Sequence, residues 1–329
     1  MTQGERAIRQ EQRRMEKEKK RRIELANKML IPVGEKTSQS LGLLSFDPSG
    51  VFRLGNNLWL KVFTIDEAKN IAEDVAQKIL GTLRMTISLS ESGKATCHLS
   101  LIEEGEIYEE VREKFAADEA WLLNAKVMTV DDVMGSISAN FYKDIRFSYA
   151  SFVRGKKDWK KECFHEIEES QASFKMGRLF GESMMAISYA DEIAAIDISD
   201  LSALSCPMYI SYQLKSLKDE AEIYFKRYLE KHYNRKLLDM RDDSLINQSL
   251  SISFFCDSLD AREIVESTLG SYFLNKGILL VPGFGNQRTI AESSLSYGLI
   301  GYDLYRNVDI EIAKNMIGGG NNESSKVEV

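Results

Sequence analysis

The chain has 329 residues, 43% hydrophobic and 28% charged, with a formal net charge of −7 at pH 7, which supplies one or two ordinary cores and excludes a collagen-like or disordered polymer. No apolar run approaches the roughly 18 residues that a spanning helix needs, and the first thirty positions are charged, so a cytoplasmic protein is expected, with peripheral contact at the inner face of the membrane as an option. Four cysteines (Cys97, Cys163, Cys206, Cys256) and three histidines are scattered without a C-x-x-C pair, which argues against a zinc knuckle, a disulfide framework or any metal or cofactor site.

Residues 1–28 carry ten Lys/Arg, Arg13, Arg14, Arg21 and Arg22 among them, against five Glu, a net +5; the remainder carries −12. Glu16 with Lys20 and Glu18 with Arg22 are i,i+4 pairs in the favourable order, consistent with a solvated basic helix. The same charge suits nucleic acid, anionic lipid or the chain's own acidic body, and these readings stay open. A polar linker over 33–40 leads to an apolar segment at 41–50 that closes on a turn. Residues 51–65 read as a hairpin around Gly55, Asn56 and Asn57. A helical stripe follows from Asp66 to Gly81. Leu83, Met85, Ile87 and Leu89 alternate with Arg84, Thr86 and Ser88, predicting a strand with a polar outer face and a helix layer on the other side only. A returning strand spans 96–102. Helices are expected at about 104–126 and 129–144.

Residues 141–159 interleave Phe141, Tyr142, Phe147, Tyr149, Phe152 and Trp159 with Lys143, Arg146, Arg154, Lys156 and Lys157. Such a mixture packs a core, contacts a protein, or stacks bases while holding phosphate; Tyr149, Phe152, Arg154, Lys156, Lys157 and Trp159 are the candidate contact residues. Further on, Phe174-Lys-Met-Gly177 echoes Phe52-Arg-Leu-Gly55, each followed by a strand, a helical segment and another strand (82–89, then 208–214). A duplicated α+β unit would explain the echo. The last region reads strand 208–214, helix 217–233, strand 250–256, a helix opened by Asp257 and Asp260, and strand 278–281, an order that suits a split β-α-β or ferredoxin-like arrangement. The expected fold is therefore α+β, with helix-covered mixed or antiparallel sheets, two related subdomains and an N-terminal basic helix. Its expected divisions are an arm and linker (1–40), a first unit (41–145), a connector with a second hairpin (146–205), a split β-α-β unit (206–317) and a tail (318–329).

A phosphate-binding loop needs glycines and a Lys-Ser/Thr pair at fixed offset, and Gly34-Glu-Lys-Thr37, Ser92-Gly93-Lys94-Ala95 and Arg154-Gly-Lys-Lys157 all depart from it. Gly283-Phe-Gly285 reads as a turn. Cys97 and His98 are strand neighbours that should face opposite ways, and Glu166, Glu168 and Glu169 beside His165 read as a solvated acidic face. No catalytic constellation emerges, and an enzyme is not expected.

Several segments together resemble the N-terminal, non-motor domain of the conjugative-transfer ATPases of type IV secretion systems, the TraC, TrbE and CagE group. These are the strand at 250–256, Asp257-Ser-Leu-Asp-Ala-Arg-Glu263 opening a helix, Phe273-Leu-Asn-Lys-Gly277 closing it, Val281-Pro-Gly-Phe-Gly-Asn-Gln287, Leu299-Ile-Gly-Tyr-Asp-Leu-Tyr-Arg306 and the early aromatic hairpin at 51–65. The resemblance covers about residues 45–315. In that family the domain continues into a RecA-like motor, whereas here Ile317-Gly-Gly-Gly320 leads to the end of the sequence, and Ser296-Tyr297-Gly298 stands where the family has a proline before the glycine. The resemblance thus implies a motorless homologue, a separately encoded half or an excised piece, with no nucleotide site carried over. It implies a scaffold component whose partners are the cognate secretion ATPase, other transfer subunits or itself. The alternative is a nucleic-acid-binding accessory protein of a mobile element.

Overall fold

Alternation in the strands, glycine-bearing turns between them and capped amphipathic helices produce a single wide sheet with helices on both sides. The computed structural model describes residues 3–65, 81–122, 125–155, 157–190, 193–216, 245–302, 304–309, 312–313 and 316. In chain order the elements are α1 (Gln3–Asn27), β1 (Ile31–Pro32), α2 (Glu35–Leu41), β2 (Leu43–Asp47), β3 (Val51–Leu54), β4 (Leu58–Ile65), β5 (Thr82–Leu89), β6 (Ala95–Glu104) and α3 (Tyr108–Glu119). There follow β7 (Lys126–Val127), α4 (Val130–Asn140), α5 (Tyr149–Arg154), α6 (Trp159–Cys163), β8 (Ile167–Glu169), β9 (Phe174–Met176), β10 (Leu179–Tyr189) and α7 (Ile198–Ser202). The last are β11 (Met208–Ser216), β12 (Leu245–Cys256), α8 (Leu259–Asn275), β13 (Ile278–Pro282), α9 (Gln287–Leu295) and β14 (Arg306–Asp309). The helices expected after Asp66 and over 217–233, and the tail at 318–329, fall outside the described residues.

The main path of the sheet runs β1-β2-β3-β4-β6-β5-β11-β12-β10-β9-β8, with β7 beside β4, β13 beside β10 and β14 beside β12. Its described pairings are antiparallel, so the fold is α+β with one large antiparallel sheet. Within this sheet β7-β4-β6-β5 and β13-β10-β12-β11 are two copies of the ferredoxin-like strand order, each taken from strands that follow one another as first, second, third and fourth. The second copy begins with β10, because β13 pairs with β10 and not with β12. The division expected at 205/206 therefore falls inside a unit, between its first and second strands.

The register makes the duplication concrete. Lys61 on β4 lies opposite Leu101 on β6, which lies opposite Leu83 on β5. In the same relation Glu182 on β10 lies opposite Phe254 on β12, and Phe254 opposite Met208 on β11. Phe63 pairs with Leu99 and Val127, and its equivalent Met184 with Ile252 and Pro282. Where the units join, Leu83 faces Leu214, Leu89 faces Met208 and Thr86 faces Ser211. Exchanging the units maps the first two pairs onto each other and leaves the third in place, so a pseudo-twofold axis passes through Thr86 and Ser211. Joining the units edge to edge also pairs two strands whose backbone groups would otherwise be open to other chains.

Two cores follow from the two faces. Tyr108, Val111 and Phe115 of α3 and Val265, Leu269 and Phe273 of α8 cover one face, over Leu83, Met85, Ile87, Ile210, Ile252 and Phe254. The opposite face lies under α2, α4, α5, α6 and α9, with Val133, Met134, Ile137, Phe152, Trp159, Ala291 and Leu295 in its core. The single helix layer expected from the sequence is thus corrected to two. Arg84 and Thr86, expected to face solvent, are buried under the second layer. Local signals set the helix ends. Thr129 and Asp132 form a reciprocal capping box that starts α4, and the Ser258 hydroxyl accepts the Ala261 N–H at the start of α8. The segment expected as a polar linker contains α2, and the helix expected over 104–126 is confined to α3 because β6 extends through Glu104.

Candidate interaction site

The aromatic-basic connector takes its shape from close packing against α2. A Cβ on Gly34 would lie 1.9 Å from the Gly155 Cα, so the two Gly-Lys segments press backbone to backbone, a contact that two glycines permit. The Gly34 N–H donates to the Phe152 carbonyl at 2.8 Å, the Thr37 hydroxyl donates to the Lys157 carbonyl at 3.2 Å, and Thr37 accepts from the Trp159 N–H at 3.1 Å. These glycines serve packing. Trp159 stands among Phe147 (5.1 Å) and Phe152 (6.1 Å), and Phe152 against Phe46 (5.3 Å).

That placement corrects two candidate contacts. Phe152 and Trp159 are 0% and 1% exposed, and neither reaches a base or a partner surface. The sequence places them beside lysines, but the second core needed their bulk. Tyr149 remains at the surface, edge-on to Phe46 at 5.2 Å, and Lys157 is half exposed beside Glu162 at 3.3 Å. The side chain of Arg154 and residue Lys156 lie outside the described residues.

The basic arm is α1, a 25-residue helix. Residues 8–21 are exposed throughout, Arg13, Arg14 and Arg21 among them; the Arg22 side chain lies outside the described residues. Ile8 and Met15, seven residues apart and both exposed, share one side of the helix. Lys19 bonds Glu106 at 2.5 Å, just ahead of α3, and that carboxylate raises the Lys19 pKa. The arm therefore touches the acidic body through an exposed ion pair, a contact worth little in water, while Arg13, Arg14 and Arg21 stand exposed.

The other sequence motifs stay apart. Cys97 is in the first core, whereas the His98 ring packs on Tyr297 at 4.5 Å, across the sheet. Burial lowers the His98 pKa to about 4. Glu168 and Glu169 are exposed on β8, and among the described residues no group of three or more His, Cys, Asp or Glu could hold a metal ion. Gly283 and Gly285 form the β13–α9 turn, and they leave Phe284 exposed.

The feature that sequence reasoning missed lies on the pseudo-axis. Arg84 of the first unit donates from Nε to the Ser211 hydroxyl at 2.7 Å and from Nη1 to the Ser293 hydroxyl at 2.9 Å, both in the second unit. The Ser100 hydroxyl donates to the Tyr297 carbonyl at 2.8 Å, and Asn140 donates to the Leu295 carbonyl at 2.8 Å and to the Tyr297 hydroxyl at 3.0 Å. The equivalent helices α4 and α9 both end in a tyrosine of left-handed backbone, Tyr142 (φ 54°) and Tyr297 (φ 56°). In each, the following N–H reaches back to the residue four before that tyrosine, Lys143 to Ser138 and Gly298 to Ser293. Each tyrosine leans on the other unit's strand: Tyr142 on Phe255 of β12, and Tyr297 on His98 of β6. The polar alternation of Arg84, Thr86 and Ser88 with Ser249, Ser251 and Ser253 was the available signal. It reads as a solvated face until the covering helix is known.

No protein-family model matches the chain, and no curated protein matches it.

Proposed function

We propose that this chain is a protein-binding scaffold component of a conjugative DNA-transfer machine of the type IV secretion class, acting without a nucleotide site of its own. The observation that carries the reading is the exposed basic helix α1, set on a body of opposite charge that it touches through the Lys19–Glu106 pair. Such a helix gains by meeting an acidic partner surface, because steering by charge raises encounter rates even where each ion pair is weak. The resemblance to the N-terminal domain of secretion ATPases supplies the partner class: the cognate motor, another transfer subunit or a second copy. In this reading the protein works in the cytoplasm, at the inner face of the membrane.

The test is co-purification of the full chain, and of a chain lacking residues 2–28, with the cognate motor at low and moderate salt. The full chain should retain the motor, and the truncation should lose affinity and most of its salt dependence. Full-length protein that binds neither the motor, itself nor any transfer component would remove the scaffold reading. The exposed Arg13, Arg14 and Arg21 favour one second reading, a nucleic-acid accessory protein, whose signature is DNA binding that weakens steeply with salt.

A further inference from the structure

Cys206 and Cys256 are 50 positions apart in sequence and adjacent in space. β11 pairs with β12 up to Met208 opposite Phe254, and the Phe255 N–H then donates to the Pro207 carbonyl at 3.0 Å. Proline has no N–H to return, so Pro207 and Phe255 form a hydrogen-bonded position with its single possible bond. One step further Cys206 lies opposite Cys256 in a non-hydrogen-bonded position, where facing Cα atoms are about 4.5 Å apart. That separation is within the roughly 4.4–6.8 Å that a disulfide spans. Opposite each other on paired strands, the two thiols shift each other's pKa, Cys206 upward and Cys256 downward. The first unit shows how close this cross-strand position is. Its equivalents are Gly81 and Glu103, and a Cβ on Gly81 would lie 2.3 Å from Glu103 Oε1.

We propose that Cys206 and Cys256 form a reversible thiol–disulfide site that is oxidised by small-molecule disulfides of the glutathione class. The roles divide by position. Cys256 stands two residues ahead of Ser258, the N-cap of α8, with Arg262 one turn into that helix. The positive end of the helix and the guanidinium favour a thiolate there. The facing Cys206 thiol lowers the Cys256 pKa, burial and Asp257 oppose, and Arg262 adds a smaller lowering. The same thiol–thiol interaction raises the Cys206 pKa and burial raises it further, which makes Cys206 the thiol that keeps its proton. Cys206 and Cys256 are themselves buried, at 8% and 6% exposure, and what sets them apart from Cys97 and Cys163, whose thiols burial pushes up to about 12, is the facing partner thiol.

The Cys256 thiolate attacks one sulfur of the small disulfide, forms a mixed disulfide and releases one thiolate. Cys206 then loses its proton to solvent and attacks the Cys256 sulfur, breaking the mixed bond and releasing the second thiolate. Two protein thiols lose two electrons, and the small disulfide gains them as two thiols. The new bond joins the entry of β11 to the exit of β12.

The test is to incubate the native full chain with oxidised glutathione and map its peptides without reduction. Expected is a linked Cys206–Cys256 peptide about 2 Da lighter than its reduced parts, since two hydrogens leave, restored by a reducing agent. C206S should accumulate a glutathione adduct on Cys256 that C256S does not form on Cys206. A native wild-type chain that gives no linked peptide while the unfolded chain reacts would overturn the proposal, as would a C206S chain that stays unmodified at Cys256. The wild-type map decides even where a variant folds poorly.

Discussion

Arg84 tests whether the two units are energetically one body. It is 1% exposed, and its donors reach Ser211 on β11 and Ser293 on α9, both across the pseudo-axis. Hydrogen bonds from a charged donor contribute roughly 1.5–3 kcal/mol each, so Arg84→Ala should cost about 3–6 kcal/mol before any cavity is counted, from a total of roughly 5–15 kcal/mol. Urea unfolding should show a lower midpoint with a single transition, because loosening the axis loosens both units together. A double-mutant cycle with Ser293→Ala isolates one bond, and the coupling energy should be about 1.5–3 kcal/mol, since the two groups touch directly. A coupling below about 0.5 kcal/mol would show that the contact does not hold the units together. Two separated transitions in the variant would mean that the units unfold independently in that background.

Gly298 has φ +87°, and a Cβ there would meet Arg84 Nη1 at 2.8 Å. Gly298→Ala should therefore destabilise by about 1–3 kcal/mol, whereas the same change at the unobstructed helical Gly270 should stabilise by a few tenths up to about 1 kcal/mol; both are read from urea midpoints. Burial raises the Glu103 and Glu182 pKa values to about 8, with Asp118 adding to the first and Glu266 to the second, while Arg262 opposes at Glu182. Their folded pKa values lie above the unfolded ones, so the contribution is whole below about pH 4.5 and is lost as pH rises through about 8, by about 1.4 kcal/mol per pH unit and group. Stability should fall from about pH 5 to 8, with a shallower slope in Glu182→Gln; a rise over that window would contradict the assignment.

The elements that could be read in advance were those whose signals are local. The 51–65 hairpin carries alternation and a Gly-Asn-Asn turn, and the structure forms β3 and β4 around Asn56 and Asn57 at φ 58° and 60°. The echo between Phe52-Arg-Leu-Gly55 and Phe174-Lys-Met-Gly177 marks equivalent hairpins for the same reason. What escaped was non-local. Arg84, Thr86 and Ser88 have the pattern of a solvated strand face, and only α9, more than 200 residues later, turns that face into an interior. Cys206 and Cys256 meet through strand register, which sequence spacing does not encode. The connector was ambiguous for a different reason: aromatic and basic residues suit both a contact surface and a packed segment whose lysine stems lie along apolar rings. Phe152 and Trp159 went to the core, and Tyr149 stayed outside.

Amide hydrogen exchange along β5 and β11 tests the joined-unit architecture most directly. Pairing from Met208 opposite Leu89 to Lys215 opposite Thr82, with β6 and β12 on the outer sides, leaves neither strand an open edge. Amides pointing to either neighbour should therefore exchange slowly, in step with global unfolding. Rapid exchange of every second amide on β5, with protection of those facing β6, would show an edge strand and contradict the fusion of the two units.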